Sequence, residues 1–166
     1  IVFWMKVDAF DKTQGLWSKD ASGNSTGGHM TLDVRDDQKV HVRIQSDDES
    51  NYIMSSGPLQ PGQWIHVALT FGTSAAGRPG SELFIDGSAV AQLQYQGGLE
   101  SNIMGEKAKN EEPIGLGATT ISWDSNNPGA WPGPTDELDG SLDEVALFDQ
   151  RLTPQDIDRL ANSACQ

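Results

Sequence analysis

Apolar and polar residues alternate along two stretches of the chain, and this alternation constrains the fold more than any other sequence feature. Val40, Val42 and Ile44 are each separated by one polar residue, and the large apolar residues of segment 65–71 also recur at every second position. Successive side chains of a β-strand point to opposite faces of a sheet, so a period of two indicates a strand with one buried face. Both stretches are therefore predicted to be half-buried strands.

Glycine and proline interrupt the apolar segments at short intervals. The chain has 18 Gly and 8 Pro, and such spacing is typical of many short strands rather than of βαβ units. Asp86-Gly87 lies between two apolar segments and matches the two-residue tip of a tight antiparallel hairpin. Asp36-Asp37 is predicted to make a similar turn between residues 30–35 and 39–45. We therefore expect an all-β fold.

One helix has convincing signals, and it lies near the end of the chain. Thr153 is a suitable N-cap, Pro154 follows at the first helical position, and Asp156 lies in the first turn. Residues 97–113 and 122–140 are predicted to be long loops, which are usually functional or disordered. The expected fold therefore has one short C-terminal helix.

The charge balance excludes several classes of partner. Asp and Glu number 24 against 11 Lys and Arg, which gives a formal net charge of -13. This charge repels nucleic-acid phosphates and anionic lipids, and the chain contains no apolar run long enough to span a membrane. We therefore expect neither nucleic-acid binding nor membrane insertion.

Length and chain ends suggest one module of a larger protein. The 166 residues suit a single domain spanning 1–166. The chain lacks an initiator Met and begins in an apolar run, so we expect it to be excised from a longer chain with flanking domains. Cys165 is the single cysteine, which excludes a disulfide framework within this chain. The sequon at Asn24 and the acidic balance are compatible with a secreted or cell-surface location.

Several strand and turn motifs occur in a characteristic order. In chain order, the first is Gly-Leu-Trp-Ser-Lys-Asp at residues 15–20, and the second is Gly-Gln-Trp-Ile-His-Val-Ala-Leu-Thr-Phe at 62–71. The Asp-Gly hairpin at 83–90, a Pro-Ile-Gly strand at 113–117 and a closing apolar strand at 138–148 follow. The last is Arg-Leu-Thr-Pro-Gln-Asp-Ile at 151–157. Together these motifs resemble laminin G-like domains, of the concanavalin A-like lectin kind, over nearly the whole chain.

The resemblance implies a jelly roll, which is a sandwich of two antiparallel sheets. The alternation described above predicts the same arrangement independently. The family usually has one further strand before the segment that matches Val2–Val7, and we expect the absence of that strand to leave a sheet edge open.

The resemblance also implies calcium. In the related pentraxins, calcium lies on loops that follow the strands matching residues 16–19 and 114–117. Calcium takes roughly six to eight oxygen ligands, and the candidate ligands in the corresponding loops are Asp20, Asn24, Asp124, Asp136, Glu137 and Asp139. The alternative is that these residues are solvated Asp and Asn in turns, and that alternative is favoured for the separate acidic loop at residues 47–49.

Two tryptophans flank the acidic part of loop 122–140. Indole faces held beside carboxylates and amides are typical of sugar-binding sites, so Trp123, Asn126, Asn127 and Trp131 are the candidate ligand-binding residues. The alternative is that Trp123 ends a core strand and Trp131 pins the loop. The remaining three tryptophans, Trp4, Trp17 and Trp64, lie in strand patterns and are interpreted as core or sheet-face residues.

Signatures of catalysis are incomplete. The hydrolase pattern Glu-x-Asp-x-x-Glu begins at Glu137 but has Leu142 where its last carboxylate is needed. Asp143-Glu144 is expected inside the closing strand, in a structural role. His29, His41 and His66 lie on separate predicted strands, without metal-ligand spacing. We therefore expect no catalytic residues.

These observations predict a non-catalytic, extracellular, calcium-dependent carbohydrate-binding module that serves adhesion or substrate targeting. Its partners are a glycan or polysaccharide and, as a further alternative, a cell-surface protein. Two other hypotheses stay open from the sequence: a calcium-dependent protein- or peptide-binding adhesion module, and a polysaccharide-active enzyme or its appended targeting domain.

Overall fold

The structure, a computed structural model, describes residues 1–20, 29–45, 51–70, 81–92, 94–96, 112–124 and 127–163. These residues form two antiparallel sheets that pack face to face, followed by one short helix. The all-β, two-sheet class predicted from the alternation is therefore confirmed. No helix among the described residues is long and apolar enough to cross a membrane.

The first sheet has five strands in the order β11-β1-β6-β7-β8. Its strands are β1 (Val2–Val7), β6 (Ile65–Thr70), β7 (Glu82–Ile85), β8 (Ser88–Gln92) and β11 (Gly140–Ala146). Within the described part of the chain, β1 lies inside this sheet between β6 and β11, so the sheet ends at β11 and not at β1.

The second sheet has six strands in the order β10-β2-β3-β4-β5-β9. Its strands are β2 (Gln14–Lys19), β3 (His29–Val34), β4 (Val40–Gln45), β5 (Asn51–Ser55), β9 (Gln94–Gln96) and β10 (Gly115–Leu116). The short strand β10 covers two residues of the predicted Pro-Ile-Gly strand at 113–117.

Both predicted hairpins are present. Asp86 and Gly87 join β7 to β8 with φ of 48° and 79°, and two positive φ angles give the turn whose twist suits a two-residue hairpin. The turn after Arg35 joins β3 to β4 and needs a left-handed residue at Gln38, which has φ of 63°.

The core lies between the sheets and is mostly aliphatic, with the aromatic rings of Phe3 and Trp17 among its buried side chains. The alternating residues of β4 that the sequence marked as buried, Val40, Val42 and Ile44, are fully buried there. Phe3 and Met5 of β1 reach the same core from the facing sheet. Each Å² of apolar surface that is buried contributes about 25 cal/mol to the free energy of unfolding, so this layer is the main source of stability.

The C-terminal helix covers part of the outer face of the five-stranded sheet. It is α1 (Pro154–Asn162), and Thr153 and Asp156 cap it reciprocally through their side chains and backbone N–H groups, as the sequence predicted. Ile157 packs on Phe84 in a second, smaller apolar cluster. One outer face of the sandwich is thereby partly covered.

A close backbone approach holds β2 against the segment that precedes the Ser122 loop. A Cβ added to Gly15 would come within 2.5 Å of the backbone nitrogen of Thr119. We expect Gly15→Ala to lower the free energy of unfolding by about 3 kcal/mol because neither backbone can yield without breaking strand pairing. Chemical denaturation measures this loss. Gly57→Ala is the matched control, since a Cβ there meets nothing within 4 Å, and equal losses in both variants would contradict the packing described.

Candidate functional site

The outer face of the six-stranded sheet is polar, and the alternation of its strands explains why. On β3, residues Met30 and Leu32 point into the core, so Thr31 and Asp33 point outward. The register pairs Thr31 with Arg43 of β4. Polar side chains from neighbouring strands therefore meet on the outer face of this sheet, where Thr31 and Asp33 are themselves largely buried.

A cleft of about 240 Å³ lies on this face. Eight of the nine residues that line it are polar or charged, and they include two arginines and three aspartates. The lining residues are Thr13, Asp20, Thr31, Asp33, Arg35, Arg43, Thr119, Ile121 and Asp136. Two candidates from the sequence, Asp20 and Asp136, are thus brought to one cleft.

The first guanidinium is held by a bidentate ion pair. Arg35 donates from Nε to Asp33 Oδ1 at 2.7 Å and from Nη2 to Asp33 Oδ2 at 3.1 Å. The hydrogen bond to Asp33 raises the pKa of Arg35 above its ordinary value. Because Asp33 occupies the Nε side of the guanidinium, the Nη1 donors stay available at the cleft.

The second guanidinium is held by a buried carboxylate. Arg43 donates from Nη2 to Asp20 Oδ2 at 2.7 Å, and Thr31 Oγ1 donates to the same oxygen at 2.8 Å. The side chain of Asp20 is only 1% exposed. A buried charge is costly unless it is paired and hydrogen-bonded, so Asp20 strongly favours this orientation of Arg43.

A buried histidine lies behind Asp20. His29 Nδ1 is 3.1 Å from Glu112 Oε1 and 3.6 Å from Asp20 Oδ1, and all three side chains are inaccessible to solvent. The hydrogen bond with Glu112 raises the pKa of His29, and the negative charges of Glu112 and Asp20 act in the same direction against the effect of burial. Glu112 was not identified as a site residue from the sequence, because it lies within the predicted loop 97–113, where no periodic pattern assigns side chains to a face.

The rim of the cleft comes from loop 122–140. Thr119 Oγ1 donates to Asp136 Oδ2 at 2.9 Å, and the N–H of Gly15 donates to the backbone oxygen of Asp136 at 2.7 Å. Asp136 adopts a left-handed φ of 52°. These bonds attach the loop directly to β2.

The other predicted calcium ligands do not gather around Asp20. Glu137 and Asp139 are exposed, and the backbone N–H of Asp139 donates to Gln14 Oε1 at 2.7 Å. No group of three or more His, Cys, Asp or Glu side chains in the described ranges is arranged to hold a metal ion. Asn24 lies outside those ranges, and Asp20 is engaged by Arg43 and Thr31, so the described donors around Asp20 do not fit a calcium ion.

Two further candidates lie in one turn of the loop. The N–H of Asn127 donates to the backbone oxygen of Asp124 at 3.0 Å. Asn126, predicted to contact ligand, lies outside the described residues. The turn therefore brings one predicted metal ligand, Asp124, beside one predicted sugar contact, Asn127.

The two tryptophans predicted to contact a ligand differ in their exposure. Trp123 is 8% exposed, so little of its indole is available to a ligand. Trp131 is partly buried, and its Nε1 donates to Ser122 Oγ at 3.0 Å, which pins the loop. Trp17 lies in the core, and Trp64, immediately before β6, is 46% exposed; both positions agree with the expectation of a core or sheet-face residue. The most exposed indole that the structure describes is thus not at the predicted site.

Known proteins share this arrangement of strands. The family model described as Concanavalin A-like lectin/glucanases superfamily (Laminin_G_3) matches residues 1–158. No curated protein sequence is significantly similar to the chain.

Solved structures are also similar. The Ruminococcus gnavus IT-sialidase CBM40 has a TM-score of 0.62 and 16% identity, over 96% of this chain and 80% of that chain. The same CBM40 bound to α2,3 sialyllactose has a TM-score of 0.61 and 17% identity, with the same coverage. A leech intramolecular trans-sialidase complexed with 2,7-anhydro-Neu5Ac has a TM-score of 0.60 and 16% identity, over 99% of this chain and 23% of that chain. The TM-scores show a common fold, and with identities of 16% and 17% the similarity shows the fold alone.

The raised pKa of His29 makes part of the stability depend on pH. The ordinary histidine pKa is 6.5, so the stabilisation from protonated His29 is complete below that pH and is lost as pH rises through the higher pKa of the folded state. We expect the difference in unfolding free energy between the wild type and His29→Gln to be largest below pH 6.5 and to shrink as the pH rises above that value.

Denaturation at several pH values measures this difference. His66 supplies the contrast, because burial lowers its pKa; the wild type should therefore lose stability relative to His66→Gln as pH falls below 6.5. A His29 difference that grows with rising pH would contradict the ion-pair assignment.

Proposed function

Because the chain belongs to the Concanavalin A-like lectin/glucanases superfamily, we propose that it is a non-catalytic glycan-binding domain whose binding face is the cleft on the six-stranded sheet. The observation that carries this proposal is the pair of guanidinium groups, Arg35 and Arg43, each oriented by a carboxylate beneath it. The structurally similar CBM40, solved with α2,3 and with α2,6 sialyllactose, adds support from outside the chain.

The proposed ligand is an acidic glycan such as a sialylated oligosaccharide. Guanidinium donors recognise carboxylates in a bidentate geometry, and such charge-assisted hydrogen bonds are stronger than neutral ones. Arg35 and Arg43 keep donors free after pairing with Asp33 and Asp20. Thr31 and Asp136 add oxygen atoms suited to sugar hydroxyl groups.

Pre-orientation is the physical advantage of this cleft. An arginine loses side-chain entropy when it binds a ligand, and that cost is reduced when the side chain is already held. Asp20 and Asp33 supply this restraint. Together with Asp136, these carboxylates outnumber the two guanidinium groups of the cleft, so we propose that affinity is moderate and that discrimination comes from geometry.

Binding without catalysis is the proposed mode of action. Glycoside hydrolysis needs two carboxyl groups placed about the scissile bond. In this cleft the carboxylates of Asp20 and Asp33 are engaged by arginines, and Oδ2 of Asp136 accepts a hydrogen bond from Thr119. An extracellular role in adhesion or substrate targeting, within a larger protein, is part of the same proposal.

Substitution of Arg43 tests the cleft. Arg43→Lys keeps a positive charge opposite buried Asp20, so the fold should stay stable. It removes the planar guanidinium group, whose paired N–H donors match a carboxylate. We expect the dissociation constant for 3′-sialyllactose to rise about 10-fold, which equals about 1.4 kcal/mol. Isothermal titration calorimetry measures the change.

Arg159→Lys is the matched control, because its side chain is 77% exposed on α1. Lactose should bind more weakly than sialyllactose to the wild type, since it lacks the carboxylate. Equal dissociation constants for sialyllactose in Arg43→Lys and the wild type would contradict the assignment of the cleft as the binding site. The absence of any glycan binding would contradict the proposed function.

Calcium binding by loop 122–140 is a separate proposal, supported by the turn that brings Asp124 beside Asn127. An ion that binds only the folded state raises the thermal midpoint. We expect saturating Ca²⁺ to raise the midpoint by several degrees over the value in EDTA, and Asp124→Asn to abolish the rise. Mg²⁺ at equal concentration is the control. An unchanged midpoint in the wild type would reject calcium.

A further inference from the structure

The outer face of the five-stranded sheet is divided into two halves. At one half, Ile157 of α1 packs on a cluster that contains Val2, Ala68 and Phe84. The other half carries Trp4 and Lys6 of β1 and the residues that pair with them. It lies on the sheet opposite the cleft, so a ligand bound there would not compete with one in the cleft.

Strand register places aromatic and polar side chains together on this second half. Trp4 lies between His66 of β6 and Asp143 of β11, and Lys6 lies beside Ser141 of β11. Trp64 immediately precedes β6, and the ammonium of Lys6 is 5.7 Å from the centroid of its ring. Two indoles and several hydrogen-bonding groups therefore share one surface.

Both indoles are restrained by a neighbour. The Trp4 ring meets the His66 ring edge-on, with centroids 5.3 Å apart and planes at 67°. His66 is buried, and burial lowers its pKa, so a neutral imidazole supports Trp4. Lys6 restrains Trp64 through the cation–π contact. Rigid aromatic side chains lose little entropy when they bind a ligand.

Trp64 is nonetheless 46% exposed. Burying an indole would stabilise the fold, yet the Trp64 ring stays in contact with solvent just before β6. The β-bulge opposite Phe3 also places Glu144 in a left-handed conformation, with φ of 50°, at the edge of the same surface. Bulges and strained residues are frequent near binding sites.

The chemistry of the surface favours a neutral sugar over a protein. Lys6, Ser141 and Asp143 interrupt the apolar area with a cation, a hydroxyl group and an anion, whereas the core of a protein interface is depleted of charge. A second copy of the chain would add another net charge of -13, which repels it. A neutral pyranose has an apolar C–H face for an indole and hydroxyl groups for the polar side chains.

We propose that Trp4 and Trp64 form a second saccharide-contact surface, which stacks neutral pyranose rings on the sheet opposite the acidic-glycan cleft. Lys6 and Asp143 bind the hydroxyl groups at its sides. A domain with contacts on both sheets bridges two glycan chains, or two branches, with an avidity above that of either site.

The test follows the indole N–H resonances of the wild-type protein by NMR during titration with cellohexaose, xylohexaose and chitohexaose, each to about 10 mM. At least one hexasaccharide is expected to shift the Trp64 and Trp4 resonances and to leave that of Trp131 unchanged, because Trp131 lies on loop 122–140, which is attached to β2 of the other sheet. Trp64→Ala weakens this binding at least 10-fold, and Trp64→Phe retains part of it.

Two results would overturn the proposal. One is the absence of any shift at Trp4 and Trp64 with all three hexasaccharides. The other is concentration-dependent dimerisation, measured by ultracentrifugation, that Trp64→Ala abolishes, since this would assign the surface to a second copy. Sialyllactose binding in Trp64→Ala reports on the cleft alone, so failure of this surface and failure of the proposed function are distinguishable.

Discussion

The buried carboxylate of Asp20 is the interaction on which the arrangement of the cleft depends. It accepts hydrogen bonds from Arg43 and Thr31 on two neighbouring strands, and His29 approaches it from behind. Removal of one partner of a buried ion pair leaves an uncompensated charge and costs several kcal/mol. The end of β2 is therefore bonded to β3 and β4, and the guanidinium donors of Arg43 that face the cleft are held in a fixed orientation.

The rest of the molecule supports that arrangement through two layers of packing. The aliphatic core holds the two sheets together, and Gly15 lets the segment at Thr119 approach β2 closely enough to complete the cleft wall. The rim is then fixed by the bonds of Asp136 to Thr119 and Gly15. Rigid sheet positions and a tethered loop together make a pre-organised polar surface, which is what recognition of a flexible oligosaccharide requires.

The fold could be predicted from the sequence because its signals are local. Alternation identified β4 and β6, the Asp86-Gly87 pair identified a hairpin, and Thr153 identified the helix start. The resemblance to laminin G-like domains agrees with the matching family model. Each of these signals depends on residues close together in the chain.

The site could be predicted only in part because its contacts are distant in sequence. Asp20 and Asp136 were identified, but their common cleft results from strand order. Arg43 lies on the polar face of an alternating strand, so the sequence predicts that its side chain points outward, but it does not predict the ion pair with Asp20. Glu112 is 83 positions from His29, and no periodic pattern links them. Trp123 fits a loop-flanking indole by sequence but is buried by packing.

The most direct measurement of the central claim is a backbone amide NMR titration of the wild-type chain with 3′-sialyllactose. The account predicts the largest shifts at the outward positions of β3 and β4, around Thr31, Asp33 and Arg43, and at Asp136 on the rim. Shifts confined to residues 122–131 of the loop, with β3 and β4 unchanged at saturation, would contradict it.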